Sequence, residues 1–218
     1  VRMSAATLGN ESRLGGHEAP PTVISAFIGE DMQQLFDALL SHSATGAHEK
    51  QRLNTGLNFV ADIGKDFSDR NRTSPFAFTG NKFEFRMVGS SATLSTPNVV
   101  LNAAVSEMLS RMSDRLEKAD KSRLHEEALG LACEFYERHK RIVFNGNGYS
   151  KEWFEEAEKR GLVHIDNSIT AYDALLAPKN VALFEKFKIM NKKELESRRA
   201  IYLDNYEKTA LIEARTML

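Results

Sequence analysis

The sequence predicts an α+β fold, with a few antiparallel strands early in the chain and a mainly helical region after them. Three observations carry this. Residues 82–87 alternate Lys82, Glu84 and Arg86 with Phe83, Phe85 and Met87, the period-two pattern of a strand with an aromatic core face and a charged face. From Ser95 onward apolar residues recur instead at the spacing of an amphipathic helix. Beyond Asp114 the composition shifts to charged, strongly helix-forming residues, so we place a boundary there and divide the chain into residues 1–113 and 114–218.

Residues 20–29 form a β-branched apolar run bounded by Pro20, Pro21 and Gly29, which reads as a buried strand. Glu30 and Asp31 then open a short helix, with Met32, Leu35, Phe36, Leu39 and Leu40 at helical spacing and acidic residues at its positive end. Residues 42–55 are polar and aperiodic, a surface loop. His42 and His48 within it lack a third ligand at a sensible spacing, so they do not make a metal site. Thr79-Gly80-Asn81 reads as the turn of a hairpin that presents the alternating strand.

Ser95-Thr96-Pro97 has the form of a helix start, a hydroxyl cap with proline at the first helical position. The stripe that follows, Leu101, Ala104, Val105, Met108, Leu109, Met112 and Leu116, is expected to pack on the sheet. Leu124, Leu131, Phe135 and Ile142 mark another long amphipathic helix, which Asn145-Gly146-Asn147-Gly148 breaks. Ser150 caps the next helix, which carries Trp153 and ends at Gly161. The glycine-rich break lacks a preceding strand and the lysine of a phosphate-binding loop, so it reads as punctuation. Helices over 170–177, 180–187 and 192–218 complete the chain, the last with Leu195, Tyr202, Tyr206 and Ala210 along one face. Aromatic residues at this spacing read as core or subunit interface.

Bulk properties exclude several functions. A formal net charge of −1 with dispersed basic residues argues against nucleic-acid binding, where affinity comes from neutralising many phosphates. Cys133 is the only cysteine, so no intramolecular disulfide can form and the chain reads as cytoplasmic. Nothing approaches the ~18 consecutive apolar residues of a membrane span, and residues 1–6 lack an apolar signal core. The chain begins at Val1 and reaches its first candidate site residue at Arg13, which points to a segment of a longer protein.

The alternating strand admits two readings. Lys82, Glu84 and Arg86 are either an exposed ladder of opposite charges or a site held on a rigid element. In the second reading Glu84 is a hard-oxygen ligand suited to Mg²⁺, and Lys82 and Arg86 suit phosphate or carboxylate oxygens.

Two motifs carry a family resemblance. Asn71-Arg72-Thr73-Ser74-Pro75-Phe76 followed by Asn81-Lys82-Phe83-Glu84-Phe85-Arg86 resembles the signature of glutamine synthetases, specifically the long-subunit type III branch. Upstream, Arg13-Leu14-Gly15-Gly16-His17-Glu18-Ala19-Pro20-Pro21 is similar to the loop of that family in which an arginine faces substrate and a glutamate sits on a flap. The resemblance runs through all 218 residues. It implies the C-terminal part of a synthetase-like catalytic domain in residues 1–113 and a helical C-terminal extension in 114–218.

The resemblance also implies an activity, ATP-dependent ligation of glutamate and ammonium to glutamine through γ-glutamyl phosphate. Arg13 and Arg86 would then bind substrate, Arg72 and Lys82 the nucleotide, and Glu84 a Mg²⁺ or Mn²⁺ ion. Arg72 would also stabilise the phosphoryl group in flight, and Glu18 would close the site and take a proton from the incoming ammonium. The implied assembly is a homo-oligomer, a dodecamer of stacked hexameric rings whose sites are shared between neighbouring subunits. In the family the remaining metal-binding glutamates, a metal-binding histidine and an aspartate for ammonium lie upstream, so this segment alone is expected to be inactive. Two departures stand out: Phe76-Ala77-Phe78 replaces a further arginine found in short-subunit bacterial relatives, and the Arg13-to-Glu18 spacing is one residue shorter than theirs. The alternatives are a ligase that couples glutamate to a larger amine, and a non-catalytic assembly or regulatory module built on the helical region.

Overall fold

The computed structural model describes residues 6, 10–16, 19–41, 52, 53, 63, 64, 74–90, 92–164 and 167–217, with 52, 53, 63 and 64 as backbone only. The fold is α+β: a small sheet near the start of the chain and helices through most of the rest. A single helical turn, α1 (Asn10–Arg13), comes first. Of the predicted strand over 20–29 only Ala26–Phe27 forms a strand, β1, while Val23 makes an isolated antiparallel bridge to His164. Pro20 and Pro21 lack the N–H a ladder needs, and both are instead fully buried.

β4 (Phe76–Phe78) pairs with β5 (Phe83–Phe85) as the expected antiparallel hairpin. Gly80 takes the positive φ of 94° that the first position of its turn requires, and the Thr79 N–H closes the turn on the Lys82 carbonyl at 2.9 Å. β1, however, joins β4 in parallel, with Ala26 opposite Phe76, so the sheet is mixed and not purely antiparallel. Parallel neighbours need a long crossover, and here the crossover contains α2 (Glu30–Leu40) and a second pair of strands. That pair, β2 (Arg52–Leu53) with β3 (Ile63–Gly64), corrects the reading of 42–55 as loop throughout. His42 and His48 lie outside the described residues.

α3 (Ser95–Leu116) begins slightly differently from expectation. Ser95 is its first residue and the Thr93 hydroxyl accepts the Ser95 N–H at 3.2 Å, while Pro97 still falls in the first turn, where its missing N–H has no intrahelical partner to lose. The expected packing of its stripe on the sheet is also corrected. α3 lies chiefly against α4 (Leu124–His139) and α7 (Pro178–Lys186), leaving Val105 and Leu109 more than half exposed. It runs unbroken through Asp114, and the chain turns at 117–120.

The punctuation beyond α4 follows the sequence. Asn145 does more than end a helix: its Oδ1 accepts the Ile28 and Gly29 N–H groups at 3.1 and 3.0 Å and its Nδ2 donates to Gln33 at 2.6 Å, so it staples the break to the start of α2. Ser150 caps α5 (Lys151–Lys159) by accepting the Trp153 N–H, and Gly161 leaves it at φ 64°. α6 (Ser168–Asp173), α7 and α8 (Lys192–Thr216) follow, α8 opening with a reciprocal Asn191–Glu194 capping box.

Among the described residues the core has three clusters. Leu14 and Met87 meet under the sheet, Val23 joins Trp153 and Ala157, and Ala6 joins Tyr172, Leu175, Phe184 and Leu195. Two of them draw residues from both sides of Asp114, so the two segments share hydrophobic cores. Among the described residues no helix is long and apolar enough to cross a membrane.

Candidate functional site

The hairpin sets out Lys82, Glu84 and Arg86 on one face because the strand period is two. Lys82 Nζ lies 3.3 Å from Glu84 Oε1, and Arg86 Nη2 lies 3.3 Å from Glu84 Oε2. Each carboxylate oxygen therefore faces its own cation. The hydrogen bond from Lys82, with a smaller contribution from Arg86, holds the Glu84 carboxyl below its ordinary range against the opposing effect of burial. The cations differ in setting: the Lys82 side chain is 65% exposed and that of Arg86 only 13%.

The opposite face is only partly the core that the alternation predicts. Met87 is fully buried and Phe85 half-buried, but Phe83 is 50% exposed, with the rings of Phe76 and Phe78 each at 5.2 Å. The aromatic residues of the hairpin in part shelter one another.

Arg13 comes to this strand through one intermediary. Its Nε donates to Asn10 Oδ1 at 2.8 Å, and Asn10 Nδ2 donates to the Met87 carbonyl at 2.6 Å, next to Arg86 in sequence. Asn10 is 3% exposed, so the bridge is enclosed. Arg13 Nη2 is buried with no hydrogen-bond partner among the described residues. A guanidinium nitrogen out of water and without such a partner is costly. The loop closes behind it, with the Gly15 N–H on the Pro20 carbonyl at 2.9 Å and the Tyr149 hydroxyl donating to the Ala19 carbonyl.

The structure thus brings Arg13 together with the strand of Lys82, Glu84 and Arg86, while Glu18, His17 and Arg72 lie outside the described residues. Asn10 was absent from the sequence reading, because its partners are fixed only by folding. Toward a divalent ion the chain offers the Glu84 carboxylate, a hard-oxygen donor. No cluster of three His, Cys, Asp or Glu that could hold a metal occurs among the described residues. Among the described residues Glu84 is thus a single hard-oxygen donor of the type a Mg²⁺-like ion takes.

Residues 129–218 match the family described as the glutamine synthetase C-terminal domain. The whole chain is 38% identical over 218 residues to a type-3 glutamine synthetase of Dictyostelium discoideum, of which it covers 30%. It is 36% identical over 217 residues to a glutamine synthetase of Butyrivibrio fibrisolvens, covering 31% of it, and 35% identical over 227 residues to one of Bacteroides fragilis (strain YCH46), covering 30%. The relationship to glutamine synthetases therefore runs along the entire chain, which spans about a third of the length of these relatives.

Proposed function

We propose that this glutamine-synthetase-related chain supplies part of the active site of an ATP-dependent glutamate–ammonia ligase. The observation that carries the reading is the buried Arg13 nitrogen, without a hydrogen-bond partner among the described residues, tethered through Asn10 to Met87 at the end of the segment that bears Glu84 and Arg86. In the reaction the γ-carboxylate of glutamate attacks the terminal phosphate of ATP, and ammonia then displaces phosphate from the acyl phosphate. Both steps concentrate negative charge, which guanidinium groups offset in a site that excludes water.

In this reading Arg13 holds a glutamate carboxylate and Arg86 assists it, while Lys82 and Arg72 meet the nucleotide. Arg72 steadies the transferring phosphoryl group. Glu84 contributes one ligand to Mg²⁺ or Mn²⁺, whose role when bound is to neutralise phosphate charge. Glu18 closes over the acyl phosphate and receives a proton from ammonium. Residues 1–113 provide these side chains and 114–218 the helical extension that shares their cores. The parent is read as cytoplasmic and as a homo-oligomer, a dodecamer of stacked hexameric rings, with the remaining metal ligands supplied outside this segment.

The test is product stoichiometry in the longer synthetase that carries this segment. Arg72→Ala is expected to lower phosphate release and glutamine together, by about 100-fold or more, since the first step loses charge stabilisation. Glu18→Ala should still phosphorylate glutamate but release phosphate in excess of glutamine, because an open site exposes the intermediate to water. A one-to-one ratio in the Glu18 variant would remove its shielding role.

A further inference from the structure

α1, which carries Arg13, is a single helical turn, far too short to hold its own conformation in water. Tertiary contacts must set its orientation. Asn10 ties it to the sheet, as described; Glu11 ties it to the opposite side. Glu11 Oε2 accepts the Ser168 backbone N–H at 2.5 Å, and Oε1 accepts the Tyr206 hydroxyl at 2.7 Å. Both donors lie in the C-terminal helices, and neither is a loose surface group. Ser168 is 1% exposed, and the Tyr206 ring packs edge-on against Tyr172, itself 3% exposed. Hydrogen bonds to an ionised acceptor are about twice as strong as neutral ones, so this carboxylate is a firm anchor. The hydrogen bond to Glu11, followed by burial and the charge of that carboxylate, raises the pKa of the Tyr206 hydroxyl, which keeps it a donor.

We infer that Glu11 is a positioning residue for Arg13: through its bonds to Ser168 and Tyr206 the C-terminal helices set the direction of the guanidinium toward a carboxylate ligand. This rests on the reading of Arg13 as the residue that binds glutamate. It also gives the helical extension a task in the reaction, since α6 and α8 reach the substrate loop through one side chain.

The test uses the longer synthetase carrying this segment, with KM measured separately for glutamate and ATP. Tyr206→Phe keeps the ring packing and removes one donor, and should raise the glutamate KM about fivefold with the ATP KM within about twofold. Glu11→Ala should raise the glutamate KM more than about tenfold, Glu11→Gln should recover part of that loss, and amide exchange over residues 10–16 should quicken in the Ala and Phe variants. Parallel rises in both KM values, or a glutamate KM unmoved in both Tyr206→Phe and Glu11→Ala, would overturn the proposal. Arg13→Lys separates it from the reading beneath. If that variant leaves the glutamate KM unchanged, the role of Arg13 fails and the proposal with it; if it raises KM while the Glu11 and Tyr206 variants do not, the positioning role alone fails.

Discussion

The hairpin and the C-terminal helices both gather aromatic rings, and they do opposite things with them. Phe76, Phe78, Phe83 and Phe85 touch one another, yet Phe83 remains half exposed. Trp153 lies flat against Phe144 at 3.7 Å and is 1% exposed. The difference is one of walls. Strands of two or three residues cannot enclose their own rings, whereas α5 sits against Val23, Phe144 and Leu162, which cover the indole from several sides. The hairpin spends little on burial and presents charges; the helices bury rings and hold that hairpin's surroundings in place.

The comparison can be broken most easily at Trp153. Its Nε1 has no hydrogen-bond partner among the described residues, so the side chain contributes chiefly through packing, with the Arg160 guanidinium 5.4 Å from its ring centroid. Trp153→Ala is expected to lower the unfolding free energy by about 3–5 kcal/mol, read from the denaturant midpoint at constant slope. Phe83→Ala, by the same measurement, should lose about 1 kcal/mol or less, because half of that ring already faces water. Similar losses at the two positions would mean that the hairpin aromatic residues are better enclosed than their exposure shows.

A smaller effect sharpens the contrast on the charged face. Lys82 and Arg86 hold the Glu84 carboxyl below its ordinary value of 4.5. A depressed carboxyl contributes stability above its unfolded pKa and loses it as pH falls through the folded one. Unfolding midpoints of the protein and of Glu84→Gln should therefore converge as pH drops below about 4.5. A constant gap down to acid pH would show that Glu84 is not paired as described.

Local features of this chain are legible in its sequence, and long-range ones are not. The Ser150 cap, the Gly161 exit, the Gly80 turn and the buried face of α8 each depend on residues within a few positions, where capping and periodicity act. The parallel pairing of β1 with β4, the packing of α3 on helices and the exposure of Phe83 depend on what the rest of the chain brings alongside. Within the candidate site, Lys82, Glu84 and Arg86 were legible because a strand period is enough to place them on one face. Asn10 and Glu11 were not, since their partners lie 77, 157 and 195 residues away.

From the sequence alone came the residue types that the chemistry needs, the α+β class and the spacing that aligns one carboxylate between two cations. Those follow from side-chain chemistry and from helical and strand periods, which are properties of the chain itself. Only the tertiary structure decided which groups meet: Arg13 linked through Asn10 to the Met87 carbonyl, with one nitrogen buried and without a partner among the described residues, and Glu11 against the far end of the chain. Such contacts are set by how whole elements pack, and a one-turn helix has no preference of its own strong enough to announce them.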